Sequence, residues 1–102
     1  MSENEKYGIP QSNLQQIVAI LQNNPKIKEA ILFGSRAKGN FESGSDIDIA
    51  LKGIDLSLED ILNAKTEIEE LFLPWKTDLV IYHRIQEKEL IEHIDRVGIS
   101  LL

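Results

Sequence analysis

The sequence contains no cysteine, which removes disulfides, thiolate metal ligands and cysteine nucleophiles and permits a reducing compartment. It also lacks any apolar run approaching the roughly 20 residues that would cross a bilayer. No signal-peptide-like apolar core stands near the N-terminus, so the cytoplasm is the expected location and no membrane association is expected. Basic residues are scarce: 11 Lys and Arg against 17 Asp and Glu give a net charge of −6. Such a field repels a polyanion and argues against general nucleic-acid binding, while leaving room for a small anionic substrate screened by cations. Internal repeats and low-complexity tracts are missing as well.

What remains fits one small domain. The 102 residues are 42% hydrophobic and 27% charged, ordinary globular usage with material for a single modest core. The opening "MSENEK" is polar and loose, so residues 1–8 are expected as a flexible tail and residues 9–102 as the domain.

Apolar periodicity supplies the elements. Ser12 stands three residues before Gln15, a capping-box spacing, and Leu14, Ile17, Val18 and Leu21 follow at helical intervals, predicting a helix over 12–24 that ends near Pro25. Residues 27–33, "IKEAILF", predict a buried strand broken by Gly34, and residues 47–51 a second one. Ser57 is placed to cap a helix over 58–72, closed by Pro74. "TDLVIY", residues 77–82, is β-branched and aromatic enough for a third strand. Leu90, Ile91, Ile94 and Val97 mark a final helix stopped by Gly98. With a short helix opening at Ser35, the expected fold class is α/β: a three-stranded mixed sheet with four helices packed mainly on one face.

Two aspartates interrupt the second apolar run, in "SDIDIA". Side chains alternate across a strand, so Asp46 and Asp48 share one face about 7 Å apart while Ile47 and Ile49 take the other. Asp78 lies among apolar neighbours in the third strand and becomes a third ligand if that strand lies beside the second. Clustered carboxylates repel unless a cation neutralises them, and hard oxygen donors favour Mg²⁺, or Mn²⁺, over zinc. Two such ions would suit phosphoryl or nucleotidyl transfer.

Upstream, Gly34 allows close backbone approach to a ligand, and Ser35 offers a hydroxyl and an N–H at the end of a strand. Arg36 and Lys38 add local positive charge. The segment therefore suggests phosphates at Gly34 and Ser35, helped by Arg36 and Lys38, with metals at Asp46 and Asp48. Other phosphate and metal motifs fail: Gly34 to Gly39 has P-loop glycine spacing, but Asn40-Phe41 stands where Lys-Ser/Thr is required. Residues 46–51 lack the third oxygen ligand and glycine of an EF-hand loop.

Gly34-Ser35, ten further residues, then Asp46-Ile47-Asp48-Ile49, with Asp78 on a later strand, resembles the nucleotidyltransferase superfamily that includes DNA polymerase beta. "GSRAKG" and "SDIDIA" in so short a chain are similar to its smallest members, the minimal nucleotidyltransferase (MNT) antitoxins encoded beside HEPN-domain toxins. Thr77 departs from the pattern, which usually has an apolar residue before the third aspartate.

The resemblance implies that Asp46 and Asp48 bind metal, that Asp78 completes the site as a candidate acceptor of the hydroxyl's proton, and that Gly34 and Ser35 hold the triphosphate. It implies transfer of AMP from ATP, with two Mg²⁺ ions, to a hydroxyl of a HEPN-type toxin, a tyrosine being the expected acceptor, within a hetero-oligomer. Two alternatives stand beside it: an antitoxin acting by binding alone, and a transferase for a small molecule such as an aminoglycoside. His83 and His93 lack partners at metal-ligand spacing and suggest surface or supporting roles. Trp75 is expected as a core or rim anchor, and the charges of "EKELIEH" as a solvated helix face.

Overall fold

The fold was taken from a computed structural model that describes residues 4–102. In the described residues the elements follow one another as β1 (Glu5–Lys6), β2 (Ile9–Pro10), α1 (Gln11–Gln22), β3 (Glu29–Phe33), α2 (Ser35–Lys38), β4 (Ile47–Lys52), α3 (Leu58–Glu69), β5 (Thr77–Ile81), the 3₁₀ turn Tyr82–Arg84, α4 (Lys88–Val97) and β6 (Ile99–Ser100).

The main sheet has four strands in the order β5-β4-β3-β6, not the three expected from sequence. It is mixed, as expected: β3 pairs antiparallel with β4 and β6, and β4 pairs parallel with β5. The extra strand is only Ile99–Ser100, too short to show any alternation of its own, and is fixed by pairing with Ile31 and Leu32. Leu101 extends the contact by donating its N–H to the Ala30 carbonyl at 2.8 Å.

Register sorts the side chains into two faces. Leu32, Ile49 and Leu79 lie level on one face, as do Ala30, Leu51 and Ile81. They meet Leu14, Ile17 and Leu21 of α1 and Ile61, Ala64 and Ile68 of α3 in the larger core. The other face presents Ile31, Ala50 and Val80, and here α4 packs through Ile94, which is 1% exposed, against Phe33 and Ala50. The helices are thus divided between both faces, whereas the sequence suggested mainly one. Periodicity shows which stripe of a helix is apolar, but not which side of the sheet receives it. Apolar residues on both sides of β3, β4 and β5 call for cover on both.

Ser57 caps α3 as expected: its side chain accepts from the Asp60 N–H, and Asp60 Oδ2 accepts the Ser57 N–H at 2.9 Å. The predicted cap at Ser12 is replaced by an earlier start, with Pro10 at the N-cap, a position where its missing N–H costs nothing. Helix α3 ends earlier than expected, at Glu69, and Phe72 adopts a positive φ of 53° beyond it.

Part of the expected tail is built into the fold. β1 and β2 form an antiparallel hairpin whose two-residue turn, Tyr7-Gly8, has φ values of 59° and 74° as such turns require. The remainder of that tail, residues 1–3, lies outside the described residues.

Candidate functional site

Asp48 opens the argument because register fixes its neighbours. It is the Cα partner of Phe33 on one side and of Asp78 on the other, so one rung of the sheet carries Phe33, Asp48 and Asp78 on the α4 face. Opposed positions in a sheet stand about 5 Å apart, which brings the Asp48 and Asp78 carboxylates together. Asp46 precedes β4 and is exposed, while Asp48 and Asp78 are half-buried. Thr77 points the other way, into the larger core, where it is 6% exposed.

The electrostatics follow from that crowding. Burial first, then the charges of Asp78 and Asp46, push the Asp48 carboxyl above its ordinary value, against the opposing pull of His93 and Arg36. Lys76 Nζ lies 3.9 Å from Asp78 Oδ1, an ion pair at the exposed rim. Among the described residues no three acidic or histidine side chains are gathered closely enough to enclose an ion. The donors nonetheless suit a hard divalent cation: all are carboxylate oxygens, and Asp48 carries an electrostatic cost that a cation would relieve.

The turn after β3 meets this rung directly. Gly34 has φ 77° and ψ −158°, a region open essentially to glycine alone, and a Cβ there would stand 2.5 Å from Asp48 Oδ2. Its carbonyl accepts the Lys38 N–H at 3.1 Å, and its own N–H donates to His93 Nε2 at 3.0 Å. Ser35 opens α2 and is half-buried, and Lys38 closes it on the exposed side. Gly39, at φ 91°, ends that single turn in the left-handed conformation.

Arg36 does not join the cluster as expected. Its side chain is 1% exposed, with Nε and Nη2 donating to the Ser45 carbonyl at 3.1 and 2.8 Å and Nη1 donating to the Tyr7 carbonyl at 2.8 Å. The guanidinium also lies over the rings of Phe41 and Trp75, at 5.3 and 5.6 Å. Its donors are engaged by the protein's own backbone, which makes Arg36 a strut beneath the segment leading to Asp46. Burial lowers its pKa, while Asp46, Asp48 and Glu5 raise it. Trp75 is the anchor expected of it, its Nε1 donating to the Ser43 carbonyl at 3.1 Å.

A family model described as polymerase beta, nucleotidyltransferase, matches residues 15–102. The chain belongs to this nucleotidyltransferase family. No curated protein matches it by sequence. Among solved structures, one chain of a toxin–antitoxin complex with AMP-PNP is 27% identical, with a TM-score of 0.73 over 88% of this chain and 73% of that one. A chain from the complex of tri-AMPylated Shewanella oneidensis HEPN toxin with MNT antitoxin is 26% identical, with a TM-score of 0.68 over 90% of this chain and 71% of that one. A chain of the MntA-HepT toxin–antitoxin is likewise 26% identical, with a TM-score of 0.67 over 90% and 71%.

In this nucleotidyltransferase, Gly34→Ala is expected to cost about 1–3 kcal/mol through backbone strain alone. The new methyl would also displace the Asp48 carboxylate. A thermal melt should therefore fall by roughly 4–8 °C for each kcal/mol lost. An unchanged melting temperature would show that the turn relaxes freely.

Sequence reasoning allowed His93 a supporting role but did not identify its partner, Gly34. The signal was present: His93 lies three residues after Leu90 and beside Ile94, within the inward stripe of α4.

Proposed function

We propose that the protein is a cytoplasmic, metal-dependent adenylyltransferase antitoxin that transfers AMP from ATP to a hydroxyl, a tyrosine by preference, of a HEPN-type toxin partner. The observation that carries this reading is the single rung aligning Asp48 with Asp78 beside the Gly34-Ser35 turn. Support for the nucleotide and the partner comes from the similar complexes, one with AMP-PNP and one with an AMPylated HEPN toxin.

In this reading Gly34 leaves room for the triphosphate, while the Ser35 hydroxyl and N–H and the Lys38 ammonium bind it. Asp46, Asp48 and Asp78 would hold two Mg²⁺ ions, with Mn²⁺ as the alternative, which would polarise phosphoryl oxygens and offset the charge developing on the leaving group. Asp78 lies on the edge strand β5 and is the carboxylate assigned here to the acceptor. There its carboxylate accepts the hydroxyl proton as the acceptor oxygen bonds to the α-phosphorus and pyrophosphate departs. A net charge of −6 suits a basic partner.

The test is the intact mass of a HEPN-type protein co-expressed with this chain. A gain of AMP units that disappears with Asp46→Asn and declines with Asp78→Asn is the expected result. Complex formation without added mass would favour neutralisation by binding alone, and absence of a complex would favour a small-molecule acceptor.

A further inference from the structure

We infer that His93 is a positioning residue for the phosphate-binding turn, its imidazole holding the Gly34 peptide in the one orientation that sets Ser35 against the Asp48–Asp78 rung. The inference rests on the transferase reading above. Gly34 is the first residue beyond the last rung of β3, Phe33 opposite Asp48, so the sheet offers its N–H no partner. His93 Nε2 takes that N–H at 3.0 Å from a helix 59 residues further along the chain.

The acceptor is itself held in place. Its ring stands edge-on to Phe33, with centroids 6.2 Å apart at 80°, and the next residue, Ile94, is locked in the core between Phe33 and Ala50. Because Gly34 has no side chain to pack, its unusual φ and ψ are maintained by its two backbone hydrogen bonds. The Lys38 bond fixes the carbonyl side of the residue, and the His93 bond fixes the amide side. Losing the second leaves the turn free to rotate about the peptide preceding Gly34, carrying Ser35 with it. An accepting Nε2 requires the neutral ring with its proton on Nδ1. A glutamine carbonyl is the substitute able to accept the same N–H.

Three measurements on the 102-residue chain test this. In ¹⁵N-labelled wild type, a scalar coupling across the hydrogen bond between the Gly34 amide nitrogen and His93 Nε2 is expected, and its absence would overturn the inference. By calorimetry, His93→Ala should bind Mg²⁺-AMP-PNP roughly three- to tenfold more weakly, the range of one lost hydrogen bond. His93→Gln, which keeps an acceptor but loses the edge-on ring contact with Phe33, should recover most of that loss. Equal or tighter binding by His93→Ala, or a loss that His93→Gln fails to reduce, would overturn the inference and leave the contact as helix docking only. Failure of the wild type itself to bind Mg²⁺-AMP-PNP would overturn the transferase reading and this inference together, an outcome distinct from a difference confined to the variants.

Discussion

Replacing Asp48 with Asn is expected to lower nucleotidyl transfer by about 10³-fold or more and, in the same molecule, to raise thermal stability near neutral pH without added divalent cation. The first effect follows from removing a carboxylate at the centre of the rung: charge stabilisation there is worth several kcal/mol, and each 1.36 kcal/mol is a factor of ten. The second follows from the raised Asp48 pKa, caused by burial and then by Asp78 and Asp46. The folded protein keeps a proton on this group at a pH where the unfolded chain has released it. Stability is therefore full below the ordinary aspartate value of about 3.9 and is lost as pH rises through the raised folded value. Asparagine carries no such charge and escapes that loss.

Melting curves of wild type and Asp48→Asn should accordingly converge in acid and separate toward neutrality, with the variant the more stable. Excess Mg²⁺ should lift the wild type and leave the variant nearly unmoved, because only a ligand that binds the folded state shifts the transition. Transfer activity retained in Asp48→Asn would remove this carboxylate from the chemistry. A variant less stable than wild type at pH 7 would show that Asp48 is held by favourable contacts that outweigh the crowding.

Much of the candidate site was legible because it rests on short-range geometry. Two-residue alternation sets the face of Asp48, because β4 forms from Ile47 onward, whereas Asp46 precedes the strand and alternation alone does not place it. That Asp78 stands beside Asp48 depended on a condition, adjacency of two strands, which the parallel pairing of β4 and β5 satisfies. Quantities that depend on distant partners were not legible. Strand β6 is two residues long and exists because β3 offers an unpaired edge. The side of the sheet chosen by α4 is set by where Ile31, Phe33 and Ala50 leave an apolar surface. His93 meets Gly34 only once that choice is made.

Arg36 shows the same limit in its sharpest form, and Arg36→Ala is expected to destabilise the fold by about 3 kcal/mol, lowering the melting temperature by roughly 10 °C or more. Beside Ser35 and Lys38 in sequence, its charge suggested a phosphate ligand. In the fold it joins the hairpin tip at Tyr7, the loop that carries Phe41 and Ser45 ahead of Asp46, and Trp75 just before β5. Truncation leaves the Tyr7 and Ser45 carbonyls without these donors, and opens a void where a side chain 1% exposed had been. Lysine keeps the charge but lacks the planar fork that reaches both carbonyls, so Arg36→Lys should recover only a minor part of the loss. The two roles for Arg36 predict opposite pairs of results. A strut lowers the melting temperature in both variants even without nucleotide, and weakens nucleotide binding through the loosened approach to Asp46. A phosphate ligand would leave the melting temperature within about 2 °C of wild type and weaken nucleotide binding alone. Differential scanning calorimetry of the nucleotide-free variants distinguishes them, and the forked contacts to Ser45 and Tyr7 favour the strut.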